Sequence, residues 1–160
     1  MIGIASTSLV NCSDGDPIAA GLLLSSLQIL STLDLYHPTF EQDLVQYTQS
    51  YYHAEAEKLS LTLTPAEYIA HVYRRLRMEE QRCDRYFERP SKKEVMEVVQ
   101  QELITRVCEN IIEKGFNDLV KSNDIESLQT LYRLLSLVLE TEVMRTAWAE
   151  YIKVVPPKSH

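Results

Sequence analysis

Apolar residues recur every three or four positions along most of the chain, which is the spacing of one face of an α-helix. Leu23, Leu27 and Leu30 follow this spacing near the start, and Val95 and Val99 follow it in the middle. No stretch alternates apolar and polar residues as a half-buried strand does. The expected fold is therefore all-α, an antiparallel bundle of about six helices with bounds near 17–36, 40–60, 65–88, 92–113, 124–139 and 142–154.

Three capping boxes indicate helix starts. In such a box an N-cap hydroxyl accepts from the amide three residues on, and the Glu or Gln there reaches back. The pairs are Thr39 with Gln42, Thr64 with Glu67, and Ser91 with Glu94. We therefore predict that Thr39, Thr64 and Ser91 are N-caps.

Other positions carry structural predictions of their own. Gly115 is expected to end the fourth helix in the left-handed conformation. Trp148 has the spacing of the apolar face of the last helix and is expected in or near the core. Tyr47 and Tyr51 are expected in the core of the second helix, although an aromatic cage for a ligand is the alternative.

Composition and charge exclude several classes. A chain of 160 residues with 45% apolar residues is long enough to bury a core without a metal or disulfide staple. The net charge of −7 does not suit a protein that holds phosphate backbones, so no nucleic-acid partner is expected. The longest apolar run, 18–24, is far shorter than a membrane span, so no membrane partner is expected either.

Motifs for catalysis or metal binding are absent from the sequence. Three widely spaced cysteines, Cys12, Cys83 and Cys108, suggest buried thiols in a reducing compartment and no disulfide framework. The four histidines lack the spacing of metal ligands. There is no glycine-rich phosphate loop and no nucleophile elbow. We expect no catalytic residue, no cofactor and no metal.

Arginine is concentrated in one segment. Six of the nine arginines lie in 74–89, interleaved with acidic residues three or four positions away. Opposite charges at this spacing pair along a solvated helix face, which is the ordinary interpretation. A face that binds an acidic partner protein is the second interpretation, and nucleic-acid binding is a distant third. The candidate contact residues are Arg74, Arg75, Arg82 and Arg85.

Several segments in order resemble cullins, the long subunits of cullin-RING ubiquitin ligases. Residues 27–59 read LQILSTLDLYHPTFEQDLVQYTQSYYHAEAEKL, and 124–136 read DIESLQTLYRLLS. Both are similar to stretches of the helical cullin repeats, although Leu137 stands where the family usually has arginine. The segment 148–153 is similar to the close of the same repeat and favours the fourth type of cullin.

The resemblance implies a fold, a role and a set of partners. Residues 17–155 would form one helical repeat, about the second of three, after a partial helix or loop of a preceding repeat in 1–16 and before a tail in 156–160. The role would be a non-catalytic scaffold, in the nucleus or the cytoplasm. A β-propeller adaptor and a RING-finger subunit would bind mainly outside this chain, and neighbouring repeats would pack against it. The alternative is a free-standing helical adaptor that binds an acidic partner through 74–89.

Overall fold

The computed structural model describes residues 17–138 and 141–154. Within these ranges the chain is all-α, with helices joined by turns and no strand, so the predicted fold class is confirmed. The α-helices are α1 (Pro17–Thr32), α2 (Gln42–Thr62), α3 (Pro65–Tyr86), α4 (Arg89–Gln100), α5 (Cys108–Ile111), α6 (Asn117–Lys121), α7 (Ile125–Leu137) and α8 (Thr141–Val154). Three wider π-helical segments accompany them: π1 (Tyr36–Glu41), π2 (Gln101–Thr105) and π3 (Ile112–Phe116).

The described chain divides into two compact units. Unit A contains residues 17–51 and 79–98, and unit B contains 52–78, 99–138 and 141–154. Each unit has its own buried apolar side chains. They lie on the inward faces of the helices, as the spacing of apolar residues predicts. In unit A these include Leu23, Phe40, Leu44, Cys83 and Val95, and in unit B they include Tyr52, Tyr68, Leu103, Phe116 and Leu135. The single domain expected over 17–155 stays a prediction, and the segments 1–16 and 156–160 lie outside the described residues.

Two helix ends are closed by residues in the left-handed conformation. Asp34 has φ 53° and Asn123 has φ 56°. After α1 the amide of Leu35 donates to the carbonyl of Leu30, and after α6 the amide of Asp124 donates to the carbonyl of Leu119, both at 2.9 Å. These six-residue bonds define Schellman motifs, which satisfy carbonyls at a helix end. The first helix therefore ends at Thr32, before the predicted end near residue 36.

The predicted N-cap at Thr64 is confirmed. The Thr64 amide and hydroxyl both donate to Glu67 Oε2 at 2.9 Å, and the Glu67 amide donates back to Thr64 Oγ1 at 3.4 Å. Pro65 occupies the first helical position, where its missing N–H has no partner to lose. These bonds lower the pKa of Glu67, with the backbone bond from Thr64 the largest cause.

The predicted N-caps at Thr39 and Ser91 are wrong. The backbone at Thr39 is already helical within π1, which leads directly into α2. Helix α4 begins at Arg89, so Ser91 lies inside its first turn. The Ser91 hydroxyl is fully buried, accepts from Tyr36 Oη at 3.1 Å and donates to Glu41 Oε1 at 2.8 Å. Tertiary partners have therefore taken the hydroxyl that a cap would use.

Gly115 does not end a helix, which corrects the prediction of a left-handed stop. The residue lies inside π3 and is buried, and helical backbone continues through α6 to Lys121. A Cβ atom built on Gly115 would collide with Cβ and Cγ of Pro65. The glycine is thus required by a close approach between π3 and the start of α3. The turn expected of it occurs at Asn123 instead.

The buried face of α2 and π1 differs from the predicted one. It contains residues four apart, namely Phe40, Leu44, Thr48, Tyr52 and Ala56. Tyr51 is 37% exposed and stacks on the partly exposed Tyr47, with ring centroids 6.3 Å apart. Thr48 can be buried in their place because its hydroxyl donates to the Leu44 carbonyl at 2.7 Å.

Trp148 was predicted in or near the core, and the structure places it beside the buried Phe116 but not inside the core. The side chain is 44% accessible and meets Phe116 edge-on, with ring centroids 5.8 Å apart. Apolar spacing identifies the inward side of a helix, but it does not show whether a second element covers the ring. Here the indole has an aromatic neighbour on one edge and remains open to water.

Candidate protein-contact surface

The four candidate arginines of α3 fall into two environments. Arg74 and Arg85 are exposed, whereas only 15% of the Arg75 side chain and 12% of the Arg82 side chain remain accessible. Arg74 and Arg75 belong to unit B, and Arg82 and Arg85 belong to unit A. The contact face predicted on these residues stays a prediction, and its accessible members are Arg74 and Arg85.

Arg75 joins α3 to α2 within unit B. Its Nη2 donates to Glu55 Oε2 at 3.0 Å, and His71 Nε2 lies 2.7 Å from the other Glu55 oxygen. The Arg75 guanidinium also lies over the Tyr52 ring, 5.6 Å from its centroid. Truncating Glu55 would remove a carboxylate from a shielded cation, which is costly.

Arg82 forms the predicted pair with Glu79, three residues earlier, at 2.5 Å. Glu79 is only 3% exposed, so this is a shielded ion pair in unit A and not a surface pair. Close by, Lys92 of α4 donates to Asp84 Oδ1, and this bond is the largest cause of the raised pKa of Lys92. The middle of the arginine-rich segment therefore ties α3 to α4.

Polar ties of the same kind recur in both units. In unit A, Ser91 connects Tyr36 with Glu41, as described above. In unit B, Tyr68 Oη donates to the Leu103 carbonyl at 2.9 Å, and burial raises the Tyr68 pKa. The carboxylate of Glu102, 2% exposed, lies 3.1 Å from His53 Nδ1 and 3.2 Å from Arg106 Nε. Each tie fixes the position of one helix along its neighbour.

The sequence did not single out Tyr73, Arg77 and Arg133 as a set. Arg77 Nη1 donates to Tyr73 Oη at 3.4 Å within α3. Arg133 comes from α7, and with Arg77 it lowers the pKa of the Tyr73 phenol, Arg77 by its hydrogen bond being the larger cause. Spacing within α3 could have found Tyr73 with Arg77, which are four apart. Nothing local links residue 73 to residue 133.

The described residues contain neither a cluster of metal-binding side chains nor a membrane-spanning helix. In 17–138 and 141–154, no three of the His, Cys, Asp and Glu side chains are placed to hold a metal ion. No helix in the same ranges is long and apolar enough to cross a membrane. Cys83 and Cys108 are buried, as predicted, and burial raises the pKa of Cys83 to about 12. Cys12 lies outside the described residues.

The fold defines an all-α protein whose helices are joined by buried polar bonds. The family model for the cullin alpha solenoid domain matches residues 7–156. The chain belongs to the cullin family.

The similar proteins include members of the fourth cullin type. The chain is 35% identical over 140 residues to cullin-4 of Dictyostelium discoideum, which covers 88% of this chain and 17% of that protein. It is 31% identical over 140 residues to cullin-4A of Mus musculus and of Homo sapiens, which covers 87% of this chain and 18% of each. The likeness to the fourth type seen in the sequence is thus confirmed. The chain spans less than a fifth of the length of these relatives.

Proposed function

We propose that this chain is a non-catalytic, rigid segment of the scaffold of a cullin-RING ubiquitin ligase. Its task would be to hold the end that carries the substrate adaptor at a fixed distance from the end that carries the RING-finger subunit. We further propose that it acts inside the cell, in the nucleus or the cytoplasm. Membership of the cullin family supports the scaffold role.

One observation carries the proposal of rigidity. Within each unit, neighbouring helices are joined by polar groups that have little contact with water, such as Ser91 with Tyr36 and Glu41 in unit A and Glu55 with Arg75 in unit B. Sliding or rotating one of these helices would leave a buried donor or acceptor unsatisfied, which costs about 1–3 kcal/mol for each group. A packed apolar interface without such bonds would resist sliding less, because many nearby arrangements bury similar area.

The exposed apolar side chains of α1 also support a role as a segment that packs against neighbouring repeats. Leu22, Ile29 and Leu33 are 56–58% exposed and lie seven and four residues apart, on one stripe of the helix. Stacked helical repeats bury such stripes against the next repeat. We therefore propose that a neighbouring repeat packs on this side of α1.

The two end partners are proposed to bind elsewhere in the longer scaffold. The chain alone should then capture neither a purified β-propeller adaptor nor a purified RING-finger subunit in a pull-down. Its exposed charged faces give little affinity by themselves. Tight, stoichiometric capture of either protein would overturn the spacer role and favour the alternative, a free-standing helical adaptor.

The direct test uses a chimera in which these residues replace the matched segment of Dictyostelium cullin-4. We expect the chimera to support substrate ubiquitination and to lose most of it when a flexible Gly/Ser insert interrupts α3 after Arg77. Binding of both end partners should persist, because flexibility changes only the distance between them. The same insert between Leu63 and Thr64, in the turn between α2 and α3, is the matched control and should cost much less, because the bonds of Leu63 to Leu59 and of Thr64 to Glu67 lie on either side of it. Equal activity of all three proteins would show that rigidity is not the function.

A further inference from the structure

His37 lies between two carboxylates that come from different elements of unit A. Its Nδ1 atom is 2.9 Å from Oε2 of Glu41, which ends π1, and its Nε2 atom is 4.0 Å from Oε2 of Glu88, which directly precedes α4. Only a protonated imidazole has an N–H on both ring nitrogens, so only the charged ring can serve both carboxylates. The charge of His37 is therefore coupled to the contact between π1 and the start of α4.

A chain of hydrogen bonds connects His37 with the buried Ser91. The second oxygen of Glu41, Oε1, accepts from the Ser91 hydroxyl of α4 at 2.8 Å, and Ser91 in turn accepts from Tyr36 Oη at 3.1 Å. The His37 side chain is 58% exposed, that of Glu41 is 16% exposed, and Ser91 is fully buried. The chain thus leads from a ring in contact with water to a hydroxyl inside unit A.

The other charges that face His37 are negative. The hydrogen bond with Glu41 is the largest cause of the raised pKa of His37, and the charges of Glu88 and Glu94 raise that pKa further. Helix α1, which packs on π1, adds no charge, because residues 17–33 carry none. In residues 17–138 and 141–154, no other cation lies within 4.0 Å of Glu41 or Glu88. When the ring loses its proton, two carboxylates remain beside a neutral imidazole, and like charges at this range repel each other.

We propose that His37 is a pH-sensitive latch that holds π1 to the start of α4 while its ring is charged. Loss of the proton removes the link to Glu88 and lets Glu41 turn toward water, so the Ser91 hydroxyl loses its acceptor in part of the molecules. Because the pKa of His37 is raised, the latch is closed below pH 6.5 and opens as the pH rises through the raised value. The inference is independent of the spacer role, since it depends on contacts within unit A alone.

Amide hydrogen exchange of the whole chain measures the opening directly. The Lys92 amide, which donates to the Glu88 carbonyl at 2.9 Å, reports on the first turn of α4. The Leu128 amide, which donates to the Asp124 carbonyl at 3.1 Å, is the reference in unit B. Each rate is divided by that of an unstructured amide at the same pH. Between about pH 6 and about pH 8 we expect the protection of Lys92 to fall about threefold, the scale of an exposed ion pair, and that of Leu128 to change less.

Three variants separate the latch from a general effect of charge. His37→Gln has no proton to lose, so Lys92 should show the lower protection at both pH values. His37→Lys keeps a cation throughout this range, so Lys92 should show the higher protection at both. Glu88→Gln leaves the bond between His37 and Glu41 but removes the second carboxylate, so the fall in protection should become smaller.

A control variant removes an exposed ion pair far from titrating histidines in the sequence. Arg145→Ala breaks the pair with Glu142, 2.8 Å away in unit B, and should leave the pH dependence of Lys92 protection as it is in the parent. Circular dichroism should show that every variant is folded. Constant protection of Lys92 across this pH range, an equal fall at Leu128, or a fall that persists in His37→Gln would each overturn the proposal.

Discussion

At the scale of single residues, Thr64 shows how a local pattern alone can fix a helix start. We expect Thr64→Ala to lower the free energy of unfolding by about 0.5–2 kcal/mol, because the Glu67 amide loses its acceptor and Glu67 loses a donor. Chemical denaturation followed at 222 nm measures this. Thr62→Ala is the matched control, since its hydroxyl only donates to the Lys58 carbonyl in an exposed turn, and it should stay within about 0.5 kcal/mol of the parent. Equal losses in both variants would contradict the capping role.

His37 and Glu41 form a second residue-scale feature, with a pH signature. Their side chains lie 2.9 Å apart, and this bond is the largest cause of both the raised pKa of His37 and the lowered pKa of Glu41. Because the pKa of His37 is raised in the folded protein, the pair adds stability that is fully present below pH 6.5. That stability is lost as the pH rises through the raised pKa of His37. A lowered carboxyl pKa gives stability that is present above 4.5 and is lost as pH falls.

Both contributions to stability are therefore present together between pH 4.5 and 6.5. We expect His37→Ala to lower the melting temperature most near the middle of this window and least at about pH 9, where the imidazole is neutral. Lys93→Ala removes an exposed pair with Glu97 whose cation stays charged throughout this range, so its effect should be flat from pH 5.5 to pH 9. A pH-independent effect of His37→Ala would show that the His37 side chain stabilises the fold by packing and not by its charge.

Local sequence could predict the cap at Thr64 but could not exclude the one at Ser91. Both residues have the same pattern, with Glu three positions later. The difference lies in Tyr36 and Glu41, which are more than 45 residues from Ser91 in sequence and bond to its hydroxyl in the fold. The propensity of a residue to cap a helix depends on its neighbours in the sequence. The hydrogen-bond partners of a buried hydroxyl depend on the tertiary structure.

At the scale of helices, Gly115 permits a close approach that no other residue would. We expect Gly115→Ala to cost about 1–3 kcal/mol, because the new methyl group would overlap the Pro65 ring and push π3 from α3. Gly21→Ala is the control on α1, where no atom lies within 4 Å of the added Cβ. It should stabilise the protein by about 0.5–1 kcal/mol through reduced backbone entropy in the unfolded chain. Thermal unfolding of both variants tests the contrast, and a stabilising Gly115→Ala would disprove the collision.

The spacing of apolar residues predicted where the helices lie better than it predicted which side of each helix is buried. Val95 and Val99 in α4 are fully buried, as the spacing predicted, because an aliphatic side chain has no polar group that would favour the exposed side. In α2 the inward positions include Thr48, while Tyr47 and Tyr51 stack on each other on the more exposed side. A tyrosine has both an apolar ring and a polar hydroxyl, so spacing alone does not decide which side it takes.

At the scale of the whole molecule, low charge and an apolar helix face act together on solubility. The net charge of −7 at pH 7 vanishes near the isoelectric point of 5.1, and residues 17–33 carry no charged side chain at all. We expect a solubility minimum near pH 5 at which Leu22→Gln/Ile29→Gln/Leu33→Gln remains more soluble than the parent. Concentration in the supernatant after centrifugation measures this.

A single exposed leucine serves as the control for that stripe. Leu61 is 81% exposed and has no exposed apolar neighbour in α2, so Leu61→Gln should change solubility little. If it helps as much as the triple variant, the effect is general hydrophobicity and the stripe on α1 has no special role.

The candidate surface was only partly predictable from the sequence. The density of arginine in 74–89 was visible, and the Glu79–Arg82 pair followed from spacing. One fact depended on the tertiary fold: Arg75 bonds to Glu55, which lies on another helix 20 residues away in the sequence. The pattern of charges in the sequence predicts ion pairs within one helix. Which charged side chains stay exposed for a partner depends on how the helices pack against each other.

The π-helical segments have a consequence for the gene. In π2 the amide of Arg106 donates to the carbonyl of Gln101, five residues back, so the segment holds one residue more than an α-helix would need. Losing one codon there would restore an ordinary α-helix and leave the residues on either side facing as they do now. Losing one codon within α3 would turn every later residue of that helix by about 100° and move its buried face into water. Single-residue gains and losses between related genes should therefore collect at π1, π2 and π3.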